Sequence, residues 1–257
     1  MHVDPGREVA LPGGRVTTGV VRVGDTVRRP TGEHSAFVHE LLRLLEQRGV
    51  GFAPRLIGVD EHDREILSFH EGWVPPNLEW RRWSDRQLAA AATLVRELHD
   101  ATAGSHLARG AEVVCHGDLS PCNFVFVDGE PRFLIDFDGA HADSRKSDLA
   151  YMAWAWLIGR EDETHAPSFD DRLGQLPLLL ESYGLVDRSD FAAAIEAEQK
   201  ETLSAVLRRG DVDAGEWVNA EIRFMRAHAD AVNSAALSKR RLHAASLRRV
   251  SDARRLQ

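Results

Sequence analysis

The sequence predicts an α+β fold with two lobes, a small antiparallel sheet with one helix over residues 1–70 and a larger, mainly helical lobe over residues 71–257. Short runs rich in valine and threonine, separated by tight-turn residues, fill much of the first 70 residues and indicate antiparallel strands. After Pro75-Pro76, a pair that excludes a helix at that point, apolar residues recur mostly at helical spacing. The 257 residues are enough to bury a sizeable core.

Strands and one helix account for the N-terminal lobe. Gly24-Asp25 lies between two valine-rich runs and predicts a tight hairpin. A helix is predicted over about residues 35–48, because apolar side chains recur there at helical spacing, and Gly49 ends it. The predicted strands are residues 8–11, 16–22, 26–29, 55–59 and 65–69.

The C-terminal lobe is predicted to contain a long helix, then three short strands (residues 113–114, 124–127 and 133–135), and then further helices. The long helix covers residues 86–101 and follows Ser84-Asp85. Residues 112–138 then change to strand-like runs around Asp128-Gly129, which is a strong hairpin signal. From Asp148 onward the pattern is mainly helical.

Composition and charge argue against several classes of function. The formal net charge is −8, whereas a nucleic-acid-binding protein usually has a basic balance, so we expect no nucleic-acid partner. The longest apolar run, residues 149–158, is too short to span a membrane, and the N-terminus lacks the features of a signal peptide. We therefore expect a cytoplasmic protein with no membrane partner. Cys115 and Cys122 match neither a disulfide framework nor a zinc pattern.

The segment HGDLSPCN, residues 116–123, and the later Asp136 carry the strongest functional signal. Phosphoryl transfer needs a carboxylate that orients and deprotonates the attacking hydroxyl, and hard oxygen ligands that hold magnesium on the phosphates. In protein kinases the base and a metal-binding asparagine lie five residues apart, and Asp118 and Asn123 have this separation. Asp136 follows an apolar strand, as the second metal-binding residue of kinases does, and the predicted hairpin would bring it back beside the segment.

This segment resembles that of the aminoglycoside phosphotransferase and choline kinase-like family, whose catalytic loop reads His-Gly-Asp where protein kinases have His-Arg-Asp. The resemblance covers most of the chain and is most specific over residues 115–148. It implies a two-lobed, protein-kinase-like fold, with Asp118 as the catalytic residue and with Asn123 and Asp136 as magnesium ligands. It implies that His116 and Asp148 are structural supports, and we expect Asp138, which stands where the Asp-Phe-Gly motif of kinases has glycine, to support the site as well.

The N-terminal lobe departs from the kinase pattern because it has no lysine to hold the α and β phosphates. The three lysines of the chain are Lys146, Lys200 and Lys239. An arginine on the third strand would replace the missing lysine, and strand alternation allows only one of Arg28 and Arg29 to face the cleft. We expect Arg29 in this role, with Arg28 as the alternative, because arginine can bind phosphate through two donors.

Three further sites in the N-terminal lobe are expected to contribute to nucleotide binding. Glu40, on the following helix, is the candidate partner of the arginine, although a surface glutamate fits the pattern equally well. Gly13 and Gly14 lie in the turn between the first two strands, where a phosphate-covering loop is expected. The backbone of residues 69–72 is expected to form the hinge that faces the nucleotide base.

The sequence therefore predicts a phosphotransferase that moves the γ-phosphate of ATP or GTP onto a hydroxyl of a small molecule, with Mg²⁺ as cofactor. Acidic residues within 160–201 would suit a polyamine acceptor such as an aminoglycoside, but choline, a homoserine-like amino acid, a sugar or a macrolide are also compatible. The missing lysine leaves one alternative, a catalytically degenerate nucleotide-binding or scaffold protein of the same fold. The pattern does not indicate an oligomeric state.

Overall fold

The computed structural model describes residues 7–11, 19–76, 83–160 and 167–239. The elements of the N-terminal lobe are β1 (Glu8–Ala10), β2 (Val21–Val23), β3 (Thr26–Pro30), α1 (Ser35–Gln47), β4 (Leu56–Val59) and β5 (Arg64–Ser68). The strands form one antiparallel sheet in the order β1-β2-β3-β5-β4. The predicted sheet with one helix is confirmed, and part of the predicted 16–22 strand lies outside the described residues.

The pairing of β3 with β5 matters most for the site, because it joins two segments on either side of α1. Arg29 lies directly opposite Glu65 in this register. Because these two charged side chains lie opposite each other on neighbouring strands, they can meet on one face of the sheet.

Helix α1 buries an apolar stripe that includes Leu41 and Leu45. The chain leaves the helix through Gly49, whose φ of 76° favours glycine.

The C-terminal lobe contains, within the described residues, seven helices and four short strands. They are α2 (Asp85–Thr102), β6 (Val113–Cys115), β7 (Phe124–Val127), β8 (Glu130–Leu134), β9 (His141–Asp143), α3 (Arg145–Trp156), α4 (Phe169–Leu173), α5 (Leu176–Tyr183), α6 (Phe191–Arg208), α7 (Val212–Ala227) and α8 (Ala229–Leu237). The start of α2 has a capping box, in which the Ser84 side chain accepts from the Gln87 amide and the Gln87 side chain accepts from the Ser84 amide. In the described ranges, no helix combines the length and apolar character that a bilayer crossing requires.

Two antiparallel ribbons bring the functional segments together. Strand β6 pairs with β9, and β7 pairs with β8. The β7–β8 turn has positive φ angles at both Asp128 and Gly129, as a two-residue hairpin of this kind requires. Cys115 pairs with His141 at the ends of β6 and β9. The 116–123 loop, which follows β6, and residues 135–140, which precede β9, therefore emerge side by side.

The connector between the lobes is attached to the β7–β8 hairpin. The Trp73 amide donates to the Phe126 carbonyl at 2.8 Å, and the Phe126 amide donates back to the Trp73 carbonyl at 2.7 Å. A side chain on Gly72 would meet the Phe126 carbonyl oxygen at 2.6 Å, so this crossing requires glycine. The connector thus fixes the path of the chain from the sheet to the β7–β8 hairpin.

An aromatic cluster supports the 116–123 loop from the core of the C-terminal lobe. Trp156 packs against Trp83 and Phe124, with ring centroids 4.5 and 5.0 Å away. The buried Trp156 indole Nε1 also donates to the Leu119 carbonyl at 2.8 Å. A large buried side chain that hydrogen-bonds to the loop backbone restricts how far the loop can move.

Candidate active site

Asp148, near the start of α3, holds the beginning of the 116–123 loop. Its carboxylate is fully buried and accepts from two successive backbone amides, those of His116 at 2.8 Å and Gly117 at 3.0 Å. His99 Nε2 donates to the same carboxylate at 2.9 Å. Burial alone would raise the pKa of Asp148, but the hydrogen bond and charge of His99, with the further contribution of His116, lower it below its ordinary value. Asp148 is therefore an ionised structural anchor.

Gly117 occupies a position that no other residue fits. Its φ is +77°, and a Cβ placed there would lie 2.1 Å from the Gly139 carbonyl oxygen. The neighbouring His116 Nε2 lies 3.1 Å from the Ile135 carbonyl oxygen. The 116–123 loop and residues 135–139 therefore approach to backbone contact. This contact brings Asp118 and Asp136 to neighbouring positions.

Asp118 is partly buried, and a neighbouring helix orients its carboxylate. Its Oδ1 accepts from the Tyr151 hydroxyl at 2.8 Å and from the Ser120 amide at 3.3 Å. Burial raises the pKa of Tyr151 well above its ordinary value, and the negative charge of Asp118 raises it further. Tyr151 therefore stays protonated and acts as a donor. The sequence reading missed this residue, although its spacing of three residues from Asp148 places both on one face of α3.

Asn123 and Asp136 offer oxygen atoms beside Asp118. Asn123 is 7% exposed, and its Nδ2 donates to the Asp118 carbonyl at 2.9 Å, which leaves the amide oxygen as its acceptor atom. The Asp136 side chain is about half exposed, and its backbone has a φ of 64°, a conformation that aspartate and asparagine tolerate better than most residues. One amide oxygen and one carboxylate form a donor set that Mg²⁺ accepts.

Arg29 crosses from the sheet of the N-terminal lobe to residues 136–138. It is 8% exposed, its Nε donates to Glu65, and one terminal nitrogen donates to Asp136 at 2.9 Å. Asp138 accepts from both terminal nitrogens. Burial would lower the pKa of Arg29, but the three carboxylates raise it well above its ordinary value. Arg28 faces the other way, with a terminal nitrogen 3.5 Å from Asp60.

The partner of Arg29 differs from the one considered from the sequence. Glu40 does not contact Arg29, because it lies on the exposed side of α1 and contacts His106 at 2.6 Å. Glu65 on β5 takes that place, with its side chain 1% exposed. The Nε2 atom of His39 on α1 contacts the second oxygen of Glu65 at 2.6 Å. The helix therefore contributes a histidine that supports the carboxylate, and the carboxylate itself comes from the sheet.

The remaining candidates for nucleotide binding are only partly described. Gly13 and Gly14 lie outside the described residues, so their predicted role in covering phosphates stays a prediction. In the 69–72 segment, the Phe69 amide donates to the Asp25 carbonyl at 2.9 Å, and the guanidinium of Arg22 lies 3.8 Å from the centre of the Phe69 ring. These contacts attach the segment to the β2–β3 turn.

We expect the substitution Arg29→Lys to weaken the contact between the lobes. Lysine keeps the positive charge but lacks the planar fork, so it cannot reach Glu65, Asp136 and Asp138 together. The free energy of unfolding should fall by about 1–3 kcal/mol, the usual range for lost hydrogen bonds to charged groups. Urea unfolding monitored by fluorescence measures this change. Arg28→Lys on the opposite face is the matched control, and an equal loss in the control would contradict the assignment.

Comparisons with known proteins agree with this geometry. The family model described as the phosphotransferase enzyme family matches residues 60–183, which include the 116–123 loop and Asp136. The trifolitoxin immunity protein of Rhizobium leguminosarum bv. trifolii is 36% identical over 199 residues, which cover 69% of this chain and 74% of the relative. The chain belongs to the phosphotransferase enzyme family. Membership of the phosphotransferase enzyme family supports the coarse prediction of a small-molecule phosphotransferase.

Solved structures of phosphotransferases share the fold of this family member. The gentamicin complex of APH(2")-IIa aligns with a TM-score of 0.57 at 14% identity, covering 84% of this chain and 91% of that one. The GDP complex of a variant of aminoglycoside 2'-phosphotransferase IIIa gives 0.59 at 14% identity, with 90% and 95% covered. A choline/ethanolamine kinase family protein from Mesorhizobium loti gives 0.53 at 16% identity, with 90% and 92% covered. The prediction of a two-lobed, protein-kinase-like fold is confirmed.

Proposed function

We propose that this protein transfers the γ-phosphate of ATP or GTP to a hydroxyl group of a small molecule, with Mg²⁺ as cofactor. The observation that carries the proposal is the meeting of Asp118, Asn123 and Asp136 beside the cationic Arg29. Phosphoryl transfer requires a group that orients the hydroxyl, hard oxygen ligands for the metal, and positive charge near the phosphates. All three requirements have a candidate in this one region of the fold.

The donor set suits magnesium in its chemistry. Asn123 uses its amide nitrogen on the Asp118 carbonyl, so its oxygen remains available, and the side chain of Asp136 is 45% exposed. Asn123 and Asp136 would hold the ion, which when bound supplies positive charge to the phosphate oxygens. Arg29 contacts only one oxygen of Asp136 among the described residues, so the other oxygen stays available for the metal.

Asp118 would act on the acceptor hydroxyl. Tyr151 and the Ser120 amide fix one oxygen of the carboxylate, so the orientation of the second oxygen is fixed as well. That oxygen would accept the hydroxyl proton as the acceptor oxygen attacks the γ-phosphorus and the bond to the nucleoside diphosphate breaks. The hydrogen bond from Tyr151 holds the carboxylate in this orientation.

Arg29 would hold the non-transferred phosphates, in place of the kinase lysine. Its guanidinium has five N–H donors, and the contacts to Glu65, Asp136 and Asp138 use four of them. Phosphate binding would therefore require Arg29 to exchange part of its contact with Asp138 for phosphate oxygens. Glu65 would keep the guanidinium in place during this exchange, because their contact lies within the sheet.

The engagement of four of the five N–H donors of Arg29 favours one alternative, a nucleotide-binding protein without phosphotransferase activity. If Arg29 does not leave Asp138, the phosphates would lack their cation and transfer would be slow. The retained Asp118, Asn123 and Asp136 argue for the active form. The name of the trifolitoxin immunity protein adds toxins to the candidate acceptors of this chain, beside aminoglycosides, choline, amino acids and sugars.

The deciding experiment measures magnesium-dependent nucleotide turnover with a panel of these acceptors, for the wild type and Asp136→Asn. Asparagine keeps the left-handed backbone at this position but removes the charge that binds the metal. Loss of several kcal/mol of charge stabilisation should reduce turnover by about 10²–10³-fold. Asp128→Asn, also at a left-handed position but in an exposed turn, is the matched control. Magnesium-dependent nucleotide binding without any turnover would favour the alternative. The absence of both nucleotide binding and turnover would refute the proposal and the alternative together.

A further inference from the structure

The face of the sheet that carries Arg29 also carries a second arginine, Arg22. Residues that lie opposite each other on neighbouring strands share one face. Arg22 on β2 lies opposite Val27 on β3, which in turn lies opposite Leu67 on β5. Because Val27 is two residues before Arg29 on the same strand, both side chains point to the same side. Arg22 therefore lies on the side of the sheet that faces the candidate active site, next to the 69–72 segment.

The guanidinium of Arg22 is held in a fixed plane. It lies 3.8 Å from the centre of the Phe69 ring, and its Nε donates to the Gly24 carbonyl at 2.8 Å. The Phe69 amide donates to the Asp25 carbonyl at 2.9 Å, which fixes the ring beneath the guanidinium. Among the residues that the structure describes, neither terminal nitrogen of Arg22 donates a hydrogen bond. Arg22 therefore offers a ligand two parallel N–H donors in a fixed orientation.

A carboxylate stands beside these donors. One oxygen of Glu71 lies 3.1 Å from Nη1 of Arg22, and the Glu71 side chain is 81% exposed. An ionised carboxylate only accepts hydrogen bonds, and it can accept two in parallel. The end of the cleft next to the 69–72 segment thus offers two donors and, beside them, two acceptors.

This order of donors and acceptors matches the edge of guanine and opposes that of adenine. Guanine presents acceptors at N7 and O6, to which arginine commonly donates two hydrogen bonds, and then N–H donors at N1 and at the exocyclic amino group. Adenine instead presents a donor at its N6 amino group and an acceptor at N1. The N6 amino group would meet the guanidinium, and N1 would meet the carboxylate, so both contacts would be unfavourable.

The position of this pair also suits the proposed phosphate contact. Two residues of a strand span about 7 Å, and this distance separates Arg29, the candidate phosphate ligand, from Val27, the residue opposite Arg22. Val27 and Leu67 add an apolar surface on the same face, against which a flat base can pack. One nucleotide in the cleft can therefore reach Arg29 with its phosphates and Arg22 with its base.

We propose that Arg22 and Glu71 form a guanine-reading pair, so that the phosphate donor is GTP and not ATP. Arg22 donates to N7 and O6 of the base, and Glu71 accepts from N1 and from the exocyclic amino group. This inference rests on the proposed function, which allows either donor. The transfer step itself is unchanged, because the pair contacts only the base.

Isothermal titration of the full chain with the magnesium complexes of GDP and ADP measures the preference without requiring an acceptor. We expect GDP to bind about 10–100-fold more tightly than ADP, the usual discrimination by a bidentate contact to a base. Inosine diphosphate lacks the exocyclic amino group, so Glu71 would accept only one hydrogen bond from it. Its Kd should therefore lie between those of GDP and ADP.

The substitution Glu71→Gln should change which base is preferred. A glutamine amide can accept from N1 and donate to the oxygen that xanthine carries in place of the amino group of guanine. We expect the Kd for GDP to rise about tenfold and the Kd for xanthosine diphosphate to fall about tenfold. Glu61→Gln, at an exposed position in the β4–β5 turn, is the matched control. Damage to the fold could weaken binding, but it could not strengthen the binding of xanthosine diphosphate.

The substitution Arg22→Lys tests the other half of the pair. Lysine keeps the charge but lacks the planar fork, so the preference for GDP over ADP should narrow about tenfold. Arg28→Lys, on the opposite face of the sheet, should leave it unchanged. Wild-type binding of ADP as tight as that of GDP, or an unchanged preference in Glu71→Gln, would overturn the inference and leave the proposed function intact. Absence of binding of either nucleotide to the wild type would instead refute the proposed function, and the inference with it.

Discussion

The substitution Asp118→Asn is expected to reduce phosphoryl transfer by about 10²–10⁴-fold, the usual contribution of a positioned general base. Asparagine keeps an oxygen that can accept from the Tyr151 hydroxyl and the Ser120 amide, so the loop should keep its shape. It cannot take the hydroxyl proton. Because Asp118 is not one of the proposed metal ligands, the Kd for magnesium–nucleotide should change little.

Single-turnover kinetics with the best acceptor measures the loss, and isothermal titration with a non-hydrolysable nucleotide measures binding. Asp128→Asn makes the same chemical change in the exposed β7–β8 turn and should leave both quantities near wild type. An Asp118→Asn variant with wild-type turnover would assign the base elsewhere. A variant that loses nucleotide binding as well would place Asp118 in the metal site.

Local patterns of the sequence were sufficient to predict the elements that carry the site. The separation of Asp118 and Asn123 is fixed by the chain itself, and the turn at Asp128-Gly129 brings residues 135–138 back to the loop. Strand alternation separated the two arginines of β3, and in the structure Arg29 points toward Asp136 while Arg28 points toward Asp60. These inferences depended on neighbours in sequence, for which periodicity is informative.

Contacts between distant segments could not be predicted in the same way. Glu65 meets Arg29 because β5 pairs with β3 across an intervening helix and strand, and the register of such a pairing is set by the whole sheet. The choice of Glu40 assumed that α1 supplies the carboxylate. In this chain α1 instead supplies His39, which contacts Glu65 on β5. Similarly, the contact between Tyr151 and Asp118 depends on how α3 packs against the loop, which no local pattern reveals.

The distribution of charge over the C-terminal helices was also hidden from the sequence. Acidic residues within 160–201 were considered together because they are close in sequence, yet Glu196 and Glu198 contact different partners. Among the residues that the structure describes, Asp213, Glu216 and Arg223 form no ion pair, and helical spacing brings them to one face of α7. Charge counts along a chain therefore say little about a pocket until the helix faces are known.

The substitution Asp148→Asn is expected to lower the free energy of unfolding by about 3–5 kcal/mol, as the loss of a buried, hydrogen-bonded charge usually does. The carboxylate accepts from the amides of His116 and Gly117 and from His99, and it donates nothing. The amide group of asparagine would direct its own N–H groups at one or two of these donors. This loss is a large share of the total stability of a protein, which is about 5–15 kcal/mol. Because the amides of His116 and Gly117 begin the 116–123 loop, the loop should also lose its order.

The pH dependence gives this prediction a second readout. The pKa of Asp148 is lowered in the folded protein, so its ionised form contributes stability above the ordinary carboxyl range. That contribution is lost as the pH falls from about 4 through the lowered pKa. The difference in unfolding free energy between wild type and Asp148→Asn should therefore be largest near neutral pH and should shrink in acid. Urea unfolding at a series of pH values measures it, with the exposed Asp143→Asn as control. A difference that stays constant into acid would show that the charge of Asp148 does not hold the loop.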